Sequence, residues 1–138
     1  MSTLFLDASA LLAAFDADDE LHGSARALLL DSQRTLASLD LIRYEVANVA
    51  VRAWKAPEQV PLLLEAIERI AGDGGVVPST DALLASAARL AEEHGISVYD
   101  AAYVAAARQS GSTLVSCDFR DLIDKGLACS PPDAVCHR

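Results

Sequence analysis

Short apolar runs alternate with longer amphipathic segments along the chain. Residues 3–6 form the first run, which Asp7 closes, and residues 8–15 then take a helix-compatible pattern, as at the strand-to-helix turn of an α/β unit. Further runs that predict strands are residues 35–37, 76–77, 113–116 and a final one near Leu127. Segments that predict helix are residues 22–31, 39–55, 58–71, 80–94, 98–109 and a helical turn at 119–125.

This alternation predicts an α/β fold. Short strands separated by longer helices form a parallel sheet with helices on both faces, because the crossover connections are right-handed. We predict a small central parallel sheet of four or five short strands flanked by about seven helices, in three layers. Such sheets bind ligands beyond the carboxyl ends of their strands, and Asp7 and Asp118 both follow predicted strands.

The composition predicts one soluble domain over residues 1–138. That length suffices for a single sizeable core. Mean hydropathy is +0.26, yet polar residues interrupt every apolar run before the roughly 18 residues that a membrane span requires. The first residues lack the basic segment of a secretory signal, so a cytoplasmic location is expected. Three cysteines in no paired spacing predict free thiols.

Three acidic residues stand where either a helix cap or a functional site is expected. Asp7 and Asp118 each precede a predicted helix and can accept hydrogen bonds from its first amides. Asp100 is the fourth residue of Ser97-Val-Tyr-Asp, which has the spacing of a capping box. Taken singly, each is explained by capping. Other acids of this region are interpreted as solvated surface charge: Asp121, Asp124 and Asp133.

Glu45 has no such local explanation. On its predicted helix it is four residues from both Leu41 and Val49, on an apolar face where a surface glutamate is not expected. Asn48 follows one turn later, where its amide can orient Glu45, a water or a substrate. The alternative is that the apolar face of this helix is shifted by one position, so that Glu45 is an ordinary surface residue.

Together the four acids predict a metal site. Carboxylates gathered in apolar surroundings need a cation, a shared proton or separate caps. We expect the two acids that follow strands, Asp7 and Asp118, to share one edge of the predicted sheet, and the helix-borne acids Glu45 and Asp100 can project toward it. Oxygen-only ligands suit Mg²⁺ or Mn²⁺. The histidines fit no zinc spacing: His22, His94 and His137.

Four motifs carry a resemblance to a known family. They are Leu4-Phe-Leu-Asp-Ala-Ser-Ala-Leu-Leu, Tyr44-Glu-Val-Ala-Asn-Val, Ser97-Val-Tyr-Asp-Ala-Ala-Tyr-Val-Ala-Ala-Ala and Leu114-Val-Ser-Cys-Asp-Phe. In this order and spacing, over nearly the whole chain, they resemble the PIN-domain ribonucleases and, more narrowly, the VapC toxins of bacterial toxin–antitoxin pairs.

The resemblance implies a PIN-like fold and an endoribonuclease that hydrolyses RNA phosphodiester bonds with Mg²⁺, for which Mn²⁺ can substitute. The catalytic and metal-binding residues that it implies are Asp7, Glu45, Asp100 and Asp118.

The same resemblance implies that Ser9 and Ser116 support the four acids, and that Asn48 contacts the acids rather than the metal. Cys117 departs from the family pattern, which has a small residue such as Gly or Ala there. A buried thiol packs much like a small hydrophobe, so we expect the site to tolerate it.

The charge balance limits how RNA can be bound. A formal net charge of −9 argues against a broad basic footprint, because Lys and Arg contacts to phosphate normally supply most of the affinity. Divalent cations can reverse the sign locally. Candidate contacts to the RNA backbone, for which simple surface charge is the alternative, are Arg43, Arg52, Lys55 and Arg120.

The resemblance also implies a homodimer and a cognate antitoxin whose C-terminal segment covers the acidic groove. Trp54 and the apolar run 60–64 can form a wall for a partner helix, although core packing explains them equally well.

Two other classes stay open from the residues alone. One is another Mg²⁺-dependent α/β phosphotransfer protein, such as a receiver domain or a haloacid-dehalogenase-type phosphatase. That phosphatase motif needs a second Asp two residues after the first, where this chain has Ser9. The other is a non-catalytic acidic interaction module, whose acids would be scattered caps that share no site.

Overall fold

The computed structural model describes residues 3–73 and 75–136, so His137 lies outside the described residues. The strands are β1 Leu4–Leu6, β2 Leu36–Leu39, β3 Val76–Val77 and β4 Thr113–Val115. The α-helices are α1 Ala8–Phe15, α2 His22–Leu30, α3 Ile42–Arg52, α4 Val60–Asp73, α5 Asp81–His94, α6 Val98–Gln109 and α7 Pro131–Cys136. A 3₁₀ turn covers Pro57–Gln59, and a π-helical turn covers Phe119–Ile123.

The four strands form one parallel sheet in the order β3-β2-β1-β4. Phe5 lies opposite Ala37 on one side and Leu114 on the other. Every residue of β1 and β2 is buried, as expected when helices cover both faces of a parallel sheet. The predicted three-layer α/β fold is confirmed, with four strands.

The core is built from both faces of this sheet. Its largest side chains, each less than 2% exposed, include Phe5, Leu39, Ile42, Leu63, Ile67, Tyr103 and Leu122. Each large apolar side chain buried in this way stabilises the fold by about 1.5–3 kcal/mol before entropy is counted. None of the helices in the described part of the chain combines the length and the apolar character that a membrane span needs.

The junction after β2 differs from the sequence prediction. The apolar pattern predicts a helix from residue 39, but Leu39 ends β2 and α3 begins at Ile42. The Asp40 amide donates to the Val77 carbonyl at 2.9 Å, and this ladder bond keeps the chain extended past Leu39. Apolar spacing at a strand end merges with helical spacing, so periodicity alone cannot separate the two.

The C-terminal segment also differs from the prediction. No fifth strand forms near residue 127 in the described chain, where Cys129 makes only an isolated parallel bridge with Val115. Helix α7 follows instead, and it begins at Pro131, a residue type that suits the first helical turn. It packs against α2, where the Arg34 guanidinium donates to the Val135 carbonyl at 3.1 Å.

The sheet order determines where the polar residues gather. Because β1 and β4 are parallel neighbours, Asp7 and residues 116–118 leave the sheet at the same edge. The Asp7 amide donates to the Val115 carbonyl at 3.2 Å, which extends this pairing by one residue. The predicted convergence of the two strand-end acids therefore follows from the topology.

Candidate active site

Asp7 is a buried carboxylate that also caps a helix. Its side chain is at the end of β1, and Oδ1 accepts hydrogen bonds from the Ala10 amide at 3.0 Å and the Ser9 hydroxyl at 2.7 Å. The residue is only 4% exposed. Burial raises the pKa of Asp7 to about 6, and the nearby charge of Asp100 adds to this effect. Capping and participation in a site are therefore compatible at Asp7.

Two serines tie the ends of β1 and β4 together. Ser9 Oγ lies 3.2 Å from Ser116 Oγ and accepts a hydrogen bond from the Cys117 amide at 2.9 Å. Ser116 Oγ accepts from the Asp118 amide at 3.0 Å. These contacts fix the backbone that carries Asp7 and Asp118, which is the structural basis for the proposed supporting role of both serines.

Cys117 is half-buried and packs against the small cluster formed by Ala13, Ala14 and Ala25. Burial raises the pKa of its thiol to about 12, so the thiol stays protonated at neutral pH. This environment matches the interpretation of Cys117 as a small hydrophobe rather than a ligand.

Glu45 is held by a tyrosine that the sequence analysis did not single out. The buried Tyr103 hydroxyl donates to Glu45 Oε1 at 2.7 Å. Burial raises the pKa of Glu45; burial and the charge of Glu45 raise the pKa of Tyr103 above its usual range. Tyr103 therefore remains a hydrogen-bond donor. A sequence signal exists, since Tyr103 follows Asp100 by three residues and shares its face of α6.

Among the described residues, Asp100, Asp118 and Asp121 form a group of acids close enough to hold a metal ion together. One carboxylate oxygen from each lies within 4.8 Å of the others. Asp118 Oδ1 also accepts from the Asp121 amide at 3.0 Å, which caps the π-helical turn. Asp121, interpreted from sequence as solvated charge, thus belongs to the cluster. Its spacing of three residues from Asp118 on a helical turn is the signal that identifies it.

Asp100 is at the electrostatic centre of the site. Burial raises its pKa first, followed by the charges of Asp118, Glu45 and Asp121. Since the charge of Asp100 also raises the pKa of Asp7, Asp100 interacts with each of the three other predicted acids. The structure brings the carboxylates of Asp100 and Asp118 into one cluster with Asp121, and places Asp7 and Glu45 around it.

The donor set fits a hard divalent cation. Octahedral Mg²⁺ with bonds of about 2.1 Å holds its ligand oxygens about 3 to 4 Å apart. The three carboxylates lie within 4.8 Å of one another, so small side-chain adjustments bring them to that geometry. Oxygen ligands without His or Cys favour Mg²⁺ or Mn²⁺. The described residues therefore fit the predicted ion.

Four other residues predicted from the sequence lie on or just after α3. Asn48 is exposed on α3 and lines a groove together with Glu45. Arg43 pairs with Glu68 at 3.1 Å, whereas Arg52 and Lys55 are exposed at the end of α3.

Arg120 is the predicted cation that the structure places at the cluster. Its guanidinium makes two hydrogen bonds of 3.2 Å to the Asp121 carboxylate. The bond to Arg120 lowers the pKa of Asp121. The Arg120 side chain is 89% exposed, so it remains accessible to a ligand.

Comparisons with known proteins agree with this geometry. Residues 4–125 match the model of the PIN domain family. The chain is 35% identical to ribonuclease VapC3 of Pyrobaculum aerophilum over 133 residues, which cover 94% of this chain and 98% of that protein.

Two solved structures share the fold. VapC20 of Mycobacterium tuberculosis, described as a sarcin–ricin loop cleaving toxin, has a TM-score of 0.66 and 21% identity, covering 86% of this chain and 92% of that one. A toxin–antitoxin complex from Klebsiella pneumoniae has a TM-score of 0.68 and 17% identity, covering 94% of this chain and 98% of that one.

Proposed function

Because the chain belongs to the PIN-domain family, we propose that it is an Mg²⁺- or Mn²⁺-dependent endoribonuclease and the toxin of a toxin–antitoxin pair. The observation that carries the proposal is the gathering of Asp100, Asp118 and Asp121 within 4.8 Å, next to buried Asp7 and Tyr103-bound Glu45. Carboxylates packed this closely repel one another, and a divalent cation relieves the repulsion.

Asp100, Asp118 and Asp121 would hold the ion directly. Asp7 and Glu45 would add negative charge around it. A bound Mg²⁺ or Mn²⁺ supplies the polarisation of water and the charge neutralisation that phosphodiester hydrolysis requires. The chain supplies orientation: Ser9 fixes Asp7 Oδ1, and Tyr103 fixes Glu45 Oε1. These bonds hold both carboxylates in place before a substrate arrives, which is the condition for preorganised catalysis.

The substrate we propose is RNA, cut at few sites, such as those in tRNA or ribosomal RNA. The similar fold of VapC20, a sarcin–ricin loop cleaving toxin, supports this class of substrate. Arg120 is the strongest candidate for a contact to the RNA backbone because it lies beside the cluster. Arg52 and Lys55 are exposed candidates farther along the chain, and Arg43 would first have to leave Glu68.

The partners we propose are a cognate antitoxin and a second copy of this chain. The fold shared with a Klebsiella toxin–antitoxin complex supports the first. In the run proposed as a wall for a partner helix, Leu63 belongs to the core, but Leu62 is 52% and Leu64 36% exposed. Trp54 packs against the core. Size-exclusion chromatography tests the homodimer, and a clean monomer at micromolar concentration would contradict it.

Cleavage of purified tRNA and ribosomal RNA tests the enzymatic proposal. We expect cleavage with Mg²⁺ or Mn²⁺, none with EDTA, and none in Asp7→Asn or Asp100→Asn at any metal concentration. Glu92→Gln, an exposed acid on α5, is the matched control and should cleave like the wild type. Near-normal cleavage by a folded Asp7→Asn or Asp100→Asn variant would refute the assignment.

Calorimetric titration with Mn²⁺ separates this function from a non-catalytic acidic module. A module with scattered caps has no shared site, whereas the cluster predicts saturable binding that is lost in Asp100→Asn. The phosphotransfer alternative is set aside because the family is that of PIN domains.

A further inference from the structure

Arg120 forms an ion pair with one member of the acidic cluster. Its Nε donates to Asp121 Oδ1 and its Nη2 donates to Asp121 Oδ2, both at 3.2 Å. These hydrogen bonds raise the pKa of Arg120, and the charges of Asp121 and Asp118 add to the effect. The guanidinium is therefore attracted by two of the three clustered carboxylates, and both oxygens of Asp121 already have a cationic donor.

The two partners of this pair differ in how firmly they are held. The side chain of Arg120 is 89% exposed, whereas that of Asp121 is 26% exposed. The Asp121 amide also donates to Asp118 Oδ1 at 3.0 Å, which fixes its backbone in the π-helical turn. Exposed ion pairs are weak, because water competes for both partners and the long side chain loses freedom. Arg120 is therefore the partner that can leave.

A divalent cation at the cluster would compete with Arg120 for Asp121. The carboxylate of Asp121 belongs to the group whose oxygens lie within 4.8 Å of one another. Two cations on one carboxylate repel each other. The ion carries twice the charge of the guanidinium and binds oxygen at about 2.1 Å, so it prevails over hydrogen bonds of 3.2 Å to an exposed side chain. Its affinity is lowered by the pair that it has to break.

We propose that Arg120 is a counter-cation of the metal-free cluster, which releases Asp121 when the ion binds and donates to a phosphate of the RNA instead. This inference rests on the proposed ribonuclease function and assigns Arg120 two successive partners at the same site. The planar guanidinium offers two parallel N–H groups, which fit the oxygens of a phosphate as they fit those of a carboxylate. Arg120 thereby couples the binding of the ion to the binding of the phosphate.

Two simpler roles of Arg120 make different predictions about the ion. If Arg120 only orients Asp121 as a ligand, its removal weakens metal binding, as the loss of other groups around a metal site does. If Arg120 only contacts RNA, its removal leaves metal binding unchanged. A counter-cation predicts the opposite sign, because the ion no longer has to displace it. The direction of the change therefore separates the three roles without any RNA.

Calorimetric titration with Mn²⁺ at constant ionic strength tests the first step. We expect Arg120→Gln to bind Mn²⁺ about fivefold more tightly than the wild type. The matched control is Arg69→Gln, which removes the same charge and another exposed ion pair, to Glu65 at 3.5 Å on α4. Its affinity for Mn²⁺ should stay within about twofold of the wild type, since an exposed charge away from the site is screened.

The same titration in the presence of dimethyl phosphate tests the second step. This small phosphodiester offers phosphate oxygens without bases or a chain. In the wild type it should tighten Mn²⁺ binding about fivefold more than it does in Arg120→Gln, because only the wild type has a guanidinium to transfer to it. The coupling is reciprocal, so the shift in Mn²⁺ affinity also measures the gain in phosphate affinity.

Weaker or unchanged Mn²⁺ binding by a folded Arg120→Gln variant would overturn the proposal. Equal tightening in Arg69→Gln would also overturn it, since net charge alone would then explain the effect. An equal effect of dimethyl phosphate on the wild type and Arg120→Gln would contradict the transfer to phosphate. Absence of saturable Mn²⁺ binding by the wild type removes the proposed function itself, whereas saturable binding that ignores Arg120 removes only this inference.

Discussion

At the scale of single residues, the burial of Asp7 disfavours the ionised form of its carboxyl group. Burial raises its pKa from 3.8 to about 6. A carboxyl whose pKa is higher in the folded state stabilises the fold when protonated. That contribution is fully present below pH 3.8 and is lost as the pH rises through about 6. Without metal, the ionised Asp7 therefore destabilises the protein at neutral pH.

Replacement of Asp7 by Asn removes this conflict. The amide oxygen can still accept hydrogen bonds from the Ala10 amide and the Ser9 hydroxyl. We expect Asp7→Asn to raise the free energy of unfolding by about 2 kcal/mol at pH 7 with EDTA present. The gain should disappear at pH 4, where the wild-type carboxyl is protonated in the folded state. Urea unfolding at both pH values checks this, and an equal effect at pH 4 and pH 7 would contradict the assigned pKa shift.

Tyr103 is a positioning residue, since it acts on the site only through Glu45. Tyr103→Phe removes the 2.7 Å hydrogen bond and keeps the packing of a side chain that is 1% exposed. We expect roughly 10- to 100-fold weaker Mn²⁺ binding or slower cleavage, as for other hydrogen-bond donors in the surroundings of a metal site. Calorimetry with Mn²⁺ measures the first effect and RNA cleavage the second.

The matched control is Tyr44→Phe, which removes an exposed hydroxyl for which the described residues provide no hydrogen bond and should leave Mn²⁺ binding unchanged. If Tyr103→Phe binds Mn²⁺ and cleaves RNA like the wild type, Glu45 does not need its donor and the positioning role is wrong.

At the scale of elements, the sequence predicted the bounds of a helix or strand well where neighbouring residues alone determine them. Helix α6 spans the predicted residues 98–109, and Ser97 caps its first turn as predicted. The strand-end positions of Asp7 and Asp118 were likewise readable from sequence. The start of α3 was not, because the ladder bond that holds Asp40 comes from β3, far away in sequence.

The same limit applies to the candidate site. Glu45 was recognisable from its place on an apolar helical face, a property of its own helix. The contact between Tyr103 and Glu45 joins residues 58 positions apart, and no periodicity within α3 or α6 encodes it. The role of Asp121 depends on how the π-helical turn places its carboxylate beside Asp100. The sequence alone therefore does not determine which side chains of separate helices and strands meet.

The end of α5 offers a test of how one element is terminated. Gly95 caps α5 with φ 65°, in the left-handed region. Gly95→Ala places a Cβ in ordinary contact with Lys125 Nζ at 3.9 Å, so the expected loss of about 1 kcal/mol comes from backbone strain rather than a clash. Gly23→Ala, in the first turn of α2, meets nothing within 4 Å and should stabilise by up to about 0.5 kcal/mol, the lower end of the range for a glycine in the middle of a helix. Urea midpoints compare the two, and equal effects would contradict the conformational argument.

At the scale of the whole molecule, the net charge of −9 and the acidic cluster make different predictions about added ions. General self-repulsion is relieved by any salt, because screening acts on all exposed charges. A ligand that binds only the folded state instead stabilises by an amount that grows with its concentration over Kd, about 2.7 kcal/mol at a hundredfold excess. Comparison of Mg²⁺ with NaCl at equal ionic strength therefore separates the two causes.

We expect Mg²⁺ and Mn²⁺ to raise the thermal midpoint of the wild type well beyond the effect of NaCl. In Asp100→Asn, which loses the carboxylate at the centre of the site, the excess should vanish while the response to NaCl persists. The metal-free Asp100→Asn protein should also be at least as stable as the metal-free wild type, because one source of repulsion is gone. Differential scanning calorimetry measures all three. If NaCl reproduces the effect of Mg²⁺, the acids act only as distributed surface charge and do not form a metal site.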